Sequence, residues 1–263
     1  MTIINETVLT VHNAEKRFGG IVALSGYSLT LKAGELVGLI GPNGAGKTTA
    51  FNVLSGVLPL TGGTVHFKQQ DITKLNSYQT ARVGIARTFQ NIRLFDDMSV
   101  LDNIRVGFHY KKGANLWSTL FNLPSFIRAE KEIAEEAVKC AAVMGIEKYL
   151  NMPVNSLSYG NQRIVEIARA LALKPQVLLL DEPAAGMNPQ ETNELILKIK
   201  QINTDFKLAI LIVEHDMHVV MNLCDRLQVL NYGKLLAEGS PGEIQQNQTV
   251  IDAYLGASHK KEE

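Results

Sequence analysis

The sequence has little that could staple, anchor or export it. Only two cysteines, Cys140 and Cys224, occur in 263 residues. They lie far apart, with no Cys or His beside either at metal-ligand spacing, which argues against a disulfide framework and fits a reducing compartment. Both read as small buried hydrophobes. Neither charge is in excess, since 26 basic side chains balance 26 acidic ones. A nonspecific nucleic-acid binder carries a basic surplus, so no nucleic-acid partner is expected. No apolar run nears the roughly 18–20 residues that cross a bilayer. The opening residues, Met1 to Glu6, lack the basic and apolar stretches of a secretory signal. Any membrane role would therefore come through a partner. There is no internal repeat, no low-complexity block and no sustained heptad pattern.

What is present reads as an α/β chain with a helical middle. In the first third, Val8 to Val11, Ser28 to Leu31 and Thr64 to Phe67 carry β-formers between turn residues. Leu36 to Ile40 is almost continuously apolar, as in a strand buried on both faces. A helix is expected over Thr48 to Leu54. From Asp97 to Leu157 strand signals are few. Ile133, Ala137, Val138, Ala141 and Met144 recur at helical spacing within Ala129 to Met144. Trp117, Phe121 and Phe126 stand in an irregular stretch, Phe108 to Ile127. The last third returns to α/β. Strands are expected at Val177 to Leu180 and Leu208 to Val213, and helices at Glu191 to Ile202 and Met217 to Leu223. A hairpin is expected from Arg226 to Glu238, turning at Asn231, Tyr232 and Gly233. The polar tail, Ser258 to Glu263, is expected to be flexible.

Between a strand and a helix, Gly41-Pro42-Asn43-Gly44-Ala45-Gly46-Lys47-Thr48 fits G-x-x-x-x-G-K-[ST] in full. Glycines let backbone N–H groups turn inward around a phosphate, and the helix start adds its positive end. The candidate nucleotide ligands here are Gly41, Asn43, Gly44, Ala45, Gly46, Lys47, Thr48 and Thr49. Lys47 is placed for the β- and γ-phosphates and the Thr48 hydroxyl for Mg²⁺. An apolar run from Val177 then delivers Asp181 and Glu182 to a strand end. Asp181 suits Mg²⁺, and Glu182 suits a general base toward water. Gln90 can touch both Mg²⁺ and the attacking water without adding charge. His215, following a buried strand, could stabilise charge on a γ-phosphate. His215 and His218 are three apart, but no third metal ligand is near. Ser158 is an N-cap residue before an amphipathic helix expected over Arg163 to Leu173, with Ile164, Ile167, Ala168, Leu171 and Ala172 as its inner face. Ser158 and Gly160 at that helix start make a second anion site, over a hundred residues from the first.

Phosphate loop, Gln90, Leu157-Ser158-Tyr159-Gly160, Asp181-Glu182 and His215, in this order, resemble the nucleotide-binding domain of ABC transporters across nearly the whole chain. That resemblance implies a P-loop ATPase core with a mostly parallel sheet, an antiparallel β subdomain and a helical subdomain. Residues 1–96 and 158–257 would form the core, 97–157 the helical part and 258–263 the tail. It implies ATP and Mg²⁺, and two domains paired head to tail, each ATP lying between one phosphate loop and the Ser158 loop of the other. It also implies an aromatic platform under adenine, which Phe18 in Arg17-Phe18-Gly19-Gly20 matches. Arg87 to Phe95, Asp181 to Pro189 and Ala253 to Gly256 are similar to one ATPase subunit of bacterial branched-chain amino-acid importers. The implied partners are a second ATPase subunit, alike or sister, two membrane permease subunits and, indirectly, a periplasmic amino-acid binding protein. The implied place is the cytoplasmic face of the inner membrane. A groove near Gln90 would receive a permease helix, and the Trp117, Phe121 and Phe126 cluster could belong to that surface or to the lobe's core.

The chain departs from the family pattern Leu-Ser-Gly-Gly-Gln at Tyr159 and Asn161. Asn188 stands where the family has Asp; an amide there can bond across the dimer but cannot act as a charge. Two other readings share the motifs: a soluble, non-transport ABC-type ATPase and a P-loop kinase. The first usually has two such domains or a long coiled-coil insertion, and the second does not need the Ser158 loop. An ATPase subunit for another solute is a third reading, because solute specificity would lie in other subunits.

Overall fold

The computed structural model describes residues 6–109 and 124–259, with side chains for 6–108 and 127–254. In chain order the elements are β1 (Thr7–Phe18), β2 (Ile21–Lys32), β3 (Leu36–Ile40), α1 (Lys47–Leu54), β4 (Gly62–Phe67), β5 (Gln70–Asp71), α2 (Ser77–Val83), β6 (Ile85–Arg87), α3 (Val100–His109), α4 (Pro124–Val143), α5 (Tyr159–Ala172), β7 (Val177–Asp181), α6 (Pro189–Phe206), β8 (Ala209–Val213), α7 (Met217–Leu223), β9 (Arg226–Asn231), β10 (Lys234–Gly239), α8 (Pro241–Gln245) and α9 (Gln248–His259). Single 3₁₀ turns at Glu147–Tyr149 and Val154–Ser156 link α4 to α5.

Two sheets result. The antiparallel one runs β2-β1-β4-β5 and the other β10-β9-β3-β8-β7-β6. In the second, every pairing is parallel except β9 with β10. Its central strands are buried on both faces, and successive residues serve different cores. Leu36, Ile40, Leu178, Leu180, Ile210 and Ile212 pack against α3 to α7. Val37, Leu39, Val177, Leu179, Leu211 and Val213 pack against α1 and the antiparallel sheet. The helical lobe, with Ile104, Ile133, Ala137 and Met144, therefore shares a core with the main sheet.

β3 and α7 occupy the spans expected from sequence. β1 runs far beyond Val11, because its register shifts between Val11 and Ala14 and the alternation of inward residues breaks there. α5 starts at Tyr159, four residues before the expected start at Arg163. Ser158 caps it, its hydroxyl accepting from the Asn161 N–H at 3.3 Å, so Gly160 and Asn161 lie in the first helical turn. α9 continues through His259, so the first two residues of the expected tail, Ser258 and His259, are helical. Trp117 and Phe121, and the side chain of Phe126, lie outside the described residues.

β3, β8 and β7 are parallel neighbours, so their C-terminal ends open on one edge. From that edge leave Gly41, then Glu214 and His215, then Glu182. In an open parallel sheet this is where ligands bind.

Candidate nucleotide site

The first loop is shaped by glycines at three left-handed positions, Gly41 (φ 147°), Gly44 (φ 80°) and Gly46 (φ 104°). A Cβ on Gly41 would collide with the Leu230 carbonyl, and one on Gly46 would lie 2.6 Å from that of Ala23. Those carbonyls belong to the framework around the loop. The Gly233 N–H also donates to the Ala45 carbonyl at 2.8 Å, so the β9–β10 turn braces the loop. Gly46 caps α1 with no side chain, leaving the first helical N–H groups for an anion. Lys47 is buried and donates from Nζ to the carbonyls of Gly41 at 2.6 Å and Pro42 at 3.1 Å. Burial lowers its pKa, and the Glu182 charge works against that. Asn43, Gly44 and Thr48 are exposed, Ala45 is buried and Thr49 is half-buried.

The three catalytic candidates meet on one oxygen. Gln90 donates from Nε2 to Glu182 Oε2 at 3.1 Å, and His215 Nδ1 lies 3.7 Å from the same Oε2. Glu182 sits at φ 44°, an uncommon conformation for a side chain with a Cβ, and its N–H donates to the Val213 carbonyl at 2.9 Å. Crossing to β8 there turns the side chain out of the sheet edge. Asp181 stays behind, buried, and takes an ion pair from Arg87 at 3.1 Å. Burial raises the Asp181 pKa, and Arg87 opposes the rise. Arg87 also donates to Asn52 at 2.7 Å and to the Ser55 hydroxyl at 2.8 Å, tying β6 to α1.

Sequence reasoning gave no role to Arg87 or to Glu214. Glu214 is 1 % exposed and accepts from the N–H groups of Ala184 at 3.0 Å and His215 at 3.2 Å. It thereby fixes the loops after Glu182 and before α7 to each other. The available signal was a carboxylate directly after a wholly buried strand. Burial raises its pKa above the ordinary glutamate value. A carboxyl group raised on folding binds protons more tightly in the native state, so stability falls as pH climbs from the unfolded value through the raised one. Melting temperature measured against pH across that interval should fall less steeply in Glu214→Gln than in the wild type.

Both ring nitrogens of His218 have partners, Nε2 lying 3.0 Å from Asn193 Oδ1 and Nδ1 3.3 Å from Asn222 Nδ2. Phe18 ends β1, 45 % exposed, with Lys16 Nζ 5.1 Å from its ring centroid. The exposed face suits a stacked base. Ser158 faces α6, its hydroxyl donating to Glu191 Oε1 at 3.4 Å. A Cβ on Gly160 would lie 2.9 Å from that same oxygen. Asn188 caps α6, accepting from the Glu191 N–H at 3.0 Å while its own N–H donates to Glu191 Oε2 at 3.2 Å. Among the described residues no hydrogen bond joins Ser158 to the loop at 41–48.

Known proteins resemble this chain along nearly its whole length. A family model described as "ABC transporter" matches residues 24–185. A second, "Branched-chain amino acid ATP-binding cassette transporter", matches residues 234–260. The high-affinity branched-chain amino acid transport ATP-binding protein LivG of Salmonella typhimurium is 44 % identical over 253 residues, which are 96 % of this chain and 99 % of that protein. The solved structure of the ADP conformation of MJ1267, an ATP-binding cassette of an ABC transporter, superposes with a TM-score of 0.84 at 31 % identity, covering 95 % of this chain and 99 % of that one. A dimeric structure of the cassette MJ0796 in a post-hydrolysis state, bound to ADP and Pi, superposes with a TM-score of 0.74 at 25 % identity, covering 89 % and 98 %.

Proposed function

Because the chain belongs to the ABC transporter family, we propose that it is the ATP-hydrolysing subunit of an importer of branched-chain amino acids. The observation that carries the reaction is Glu182, with Gln90 bonded to its carboxylate and His215 beside it. Glu182 takes a proton from the attacking water as the new P–O bond forms and the bond to ADP breaks. Gln90 orients that water. His215 and Lys47 meet charge on the γ-phosphoryl oxygens, where fixed donors lower the barrier. Phe18 stacks under the base, and the N–H groups from Gly41 to Thr49 hold the phosphates.

The hydroxyl of Thr48, the amide oxygen of Gln90 and the Asp181 carboxylate are the hard oxygen donors that suit Mg²⁺. Gln90 spends its Nε2 on Glu182, which leaves its oxygen for a cation. Bound Mg²⁺ would neutralise charge across the β- and γ-phosphates. Burial raises the Asp181 pKa, and the Arg87 guanidinium works against that rise, favouring the ionised form this duty needs.

The site is completed by a second ATPase subunit, whose Ser158 and Gly160, or their counterparts, reach the γ-phosphate. Two facts support this: Ser158 has no tie to its own phosphate loop among the described residues, and the MJ0796 cassette is a dimer. No helix among the described residues is long and apolar enough to cross a membrane. Two permease subunits then provide the path, with this chain docked at their cytoplasmic face and a periplasmic binding protein delivering the solute.

Reconstitution with the two permeases and the binding protein in liposomes tests the reading. Leucine, isoleucine and valine should accumulate only with ATP, and not with a Glu182→Gln chain. Intact ATP hydrolysis without uptake of any of the three would point to another solute. Failure of any permease to co-purify would favour the soluble ATPase.

A further inference from the structure

Beneath the Ser158 loop lies Arg163, the largest fully buried side chain among the described residues. It is 0 % exposed, and its partner Glu166 is 2 % exposed, with Nη1 to Oε2 at 2.6 Å. A buried ion pair adds little net stability, and a hydrophobic pair of like volume often does as well or better. Stability alone therefore does not account for this one.

Its other contacts do. Arg163 Nη1 donates to the Phe89 carbonyl and Nη2 to the Gln90 carbonyl, both at 2.6 Å. Nη2 also donates to the Tyr159 hydroxyl at 3.3 Å. Glu166 in turn accepts from the Phe89 N–H at 3.3 Å. All four terminal N–H bonds are used, and only Nε has no partner. Six residues along α5, Arg169 donates to the Arg93 carbonyl, so the same helix holds the segment again. The Tyr159 ring carries the network further. It lies against Gly186 of the loop after Asp181 and Glu182, where an added Cβ would be 3.4 Å from its Cε1.

We propose that Arg163 is a positioning residue for Gln90, clamping the Gln90 backbone to the helix that presents Ser158. The amide that serves a chain's own ATP and the hydroxyl offered to the neighbour's ATP then move as one body. A guanidinium spreads its terminal donors over two nitrogens and so meets both carbonyls, Glu166 and Tyr159 together; an ammonium has three donors on one atom and cannot make all four bonds. Tyr159, which departs from the family pattern, is the side chain that brings the Gly186 loop into this unit. The inference rests on Gln90 taking part in hydrolysis.

The test is a cycle on the full-length chain, reading kcat, KM and affinity for a fluorescent ATP analogue. Arg163→Met with Glu166→Leu removes both charges together and keeps the volume. It should lower kcat about ten- to a hundredfold, the scale of a slightly misplaced catalytic group. Nucleotide affinity should stay within about twofold, and on a Gln90→Ala background the same pair should change kcat by less than about twofold. Full kcat in the charge-free chain, or an equal loss on both backgrounds, would overturn the proposal. If the pair does not fold, Arg163→Lys keeps one charge opposite Glu166; it too should lose kcat but not affinity, and wild-type kcat there overturns the proposal. Gln90→Ala and Glu182→Gln run alongside. Wild-type turnover in both would remove the catalytic reading itself, whereas failure of the clamp alone leaves it standing.

Discussion

Glu182→Gln should bind ATP normally, hydrolyse it about 10² to 10⁴ times more slowly, and accumulate as an ATP-held dimer. The change replaces one oxygen by a nitrogen and leaves the volume alone. The backbone at φ 44° and the bond from its N–H to Val213 do not depend on the side chain's charge. Gln90 can still donate to the remaining amide oxygen. Only the capacity to accept a proton from water is lost, so binding and hydrolysis should separate. ATP then acts as a ligand for the closed pair that is never consumed, and it favours that pair by its differential affinity. Light scattering during gel filtration with ATP reads the dimer, and a phosphate-release assay reads the rate. Turnover at the wild-type rate would remove Glu182 as the base.

The second large effect should come from mixing two inactive chains. Lys47→Met damages the loop that holds a chain's own ATP, and Ser158→Ala damages what it offers to its neighbour. Each alone should lower hydrolysis about 10²- to 10³-fold, as loss of a donor to developing charge does. In a mixed dimer both lesions fall on the same site, and the other site is whole. With random pairing and independent sites, an equal mixture should recover about a quarter of wild-type turnover. If a single chain supplied both groups to one ATP, every site in the mixture would carry one lesion and nothing would return. Activity is measured against the fraction of each chain. A lone copy hydrolysing at full rate, or full activity in Ser158→Ala, would end the split-site reading.

The contiguous parts of the site were legible from residue order. Gly41 to Thr48 joins a strand to a helix, and an apolar strand delivers Asp181 and Glu182, so the motifs lie on the elements the sequence pattern predicts. Elements were legible where burial is uniform: β3 is buried at all five positions and lies where the apolar run lies. β1 was read too short because the register shift after Val11 breaks the period of two. The start of α5 was misplaced because Tyr159, Gly160 and Asn161 carry no apolar periodicity and Gly is a poor helix former. There the Ser158 cap decides.

Arg87 and Arg163 had no signal of their own, and Glu214 had only its place directly after a wholly buried strand. Arg87 meets Asp181 across 94 residues of chain, Arg163 meets the Gln90 carbonyl across 73, and Glu214 meets Ala184 across 30. A buried charge is recognised by its partners, and the near ones, Glu166 for Arg163 and His215 for Glu214, do not disclose these distant contacts. Asn188 reads as a lost charge in sequence but closes a capping box with Glu191 in the fold.

By itself, the order of residues determined the chemistry: a triphosphate loop, an acid pair, an amide, a histidine and a capped serine, in an α/β chain with no membrane-length apolar run. Tertiary structure decided which of these share an atom. Gln90 and His215 converge on one Glu182 oxygen because the loops of β7 and β8 leave the same sheet edge and α5 grips the Gln90 backbone. Side-chain type is written locally and fixes what a group can do. Proximity comes from non-local strand pairing and buried donors, which only the packed chain brings together.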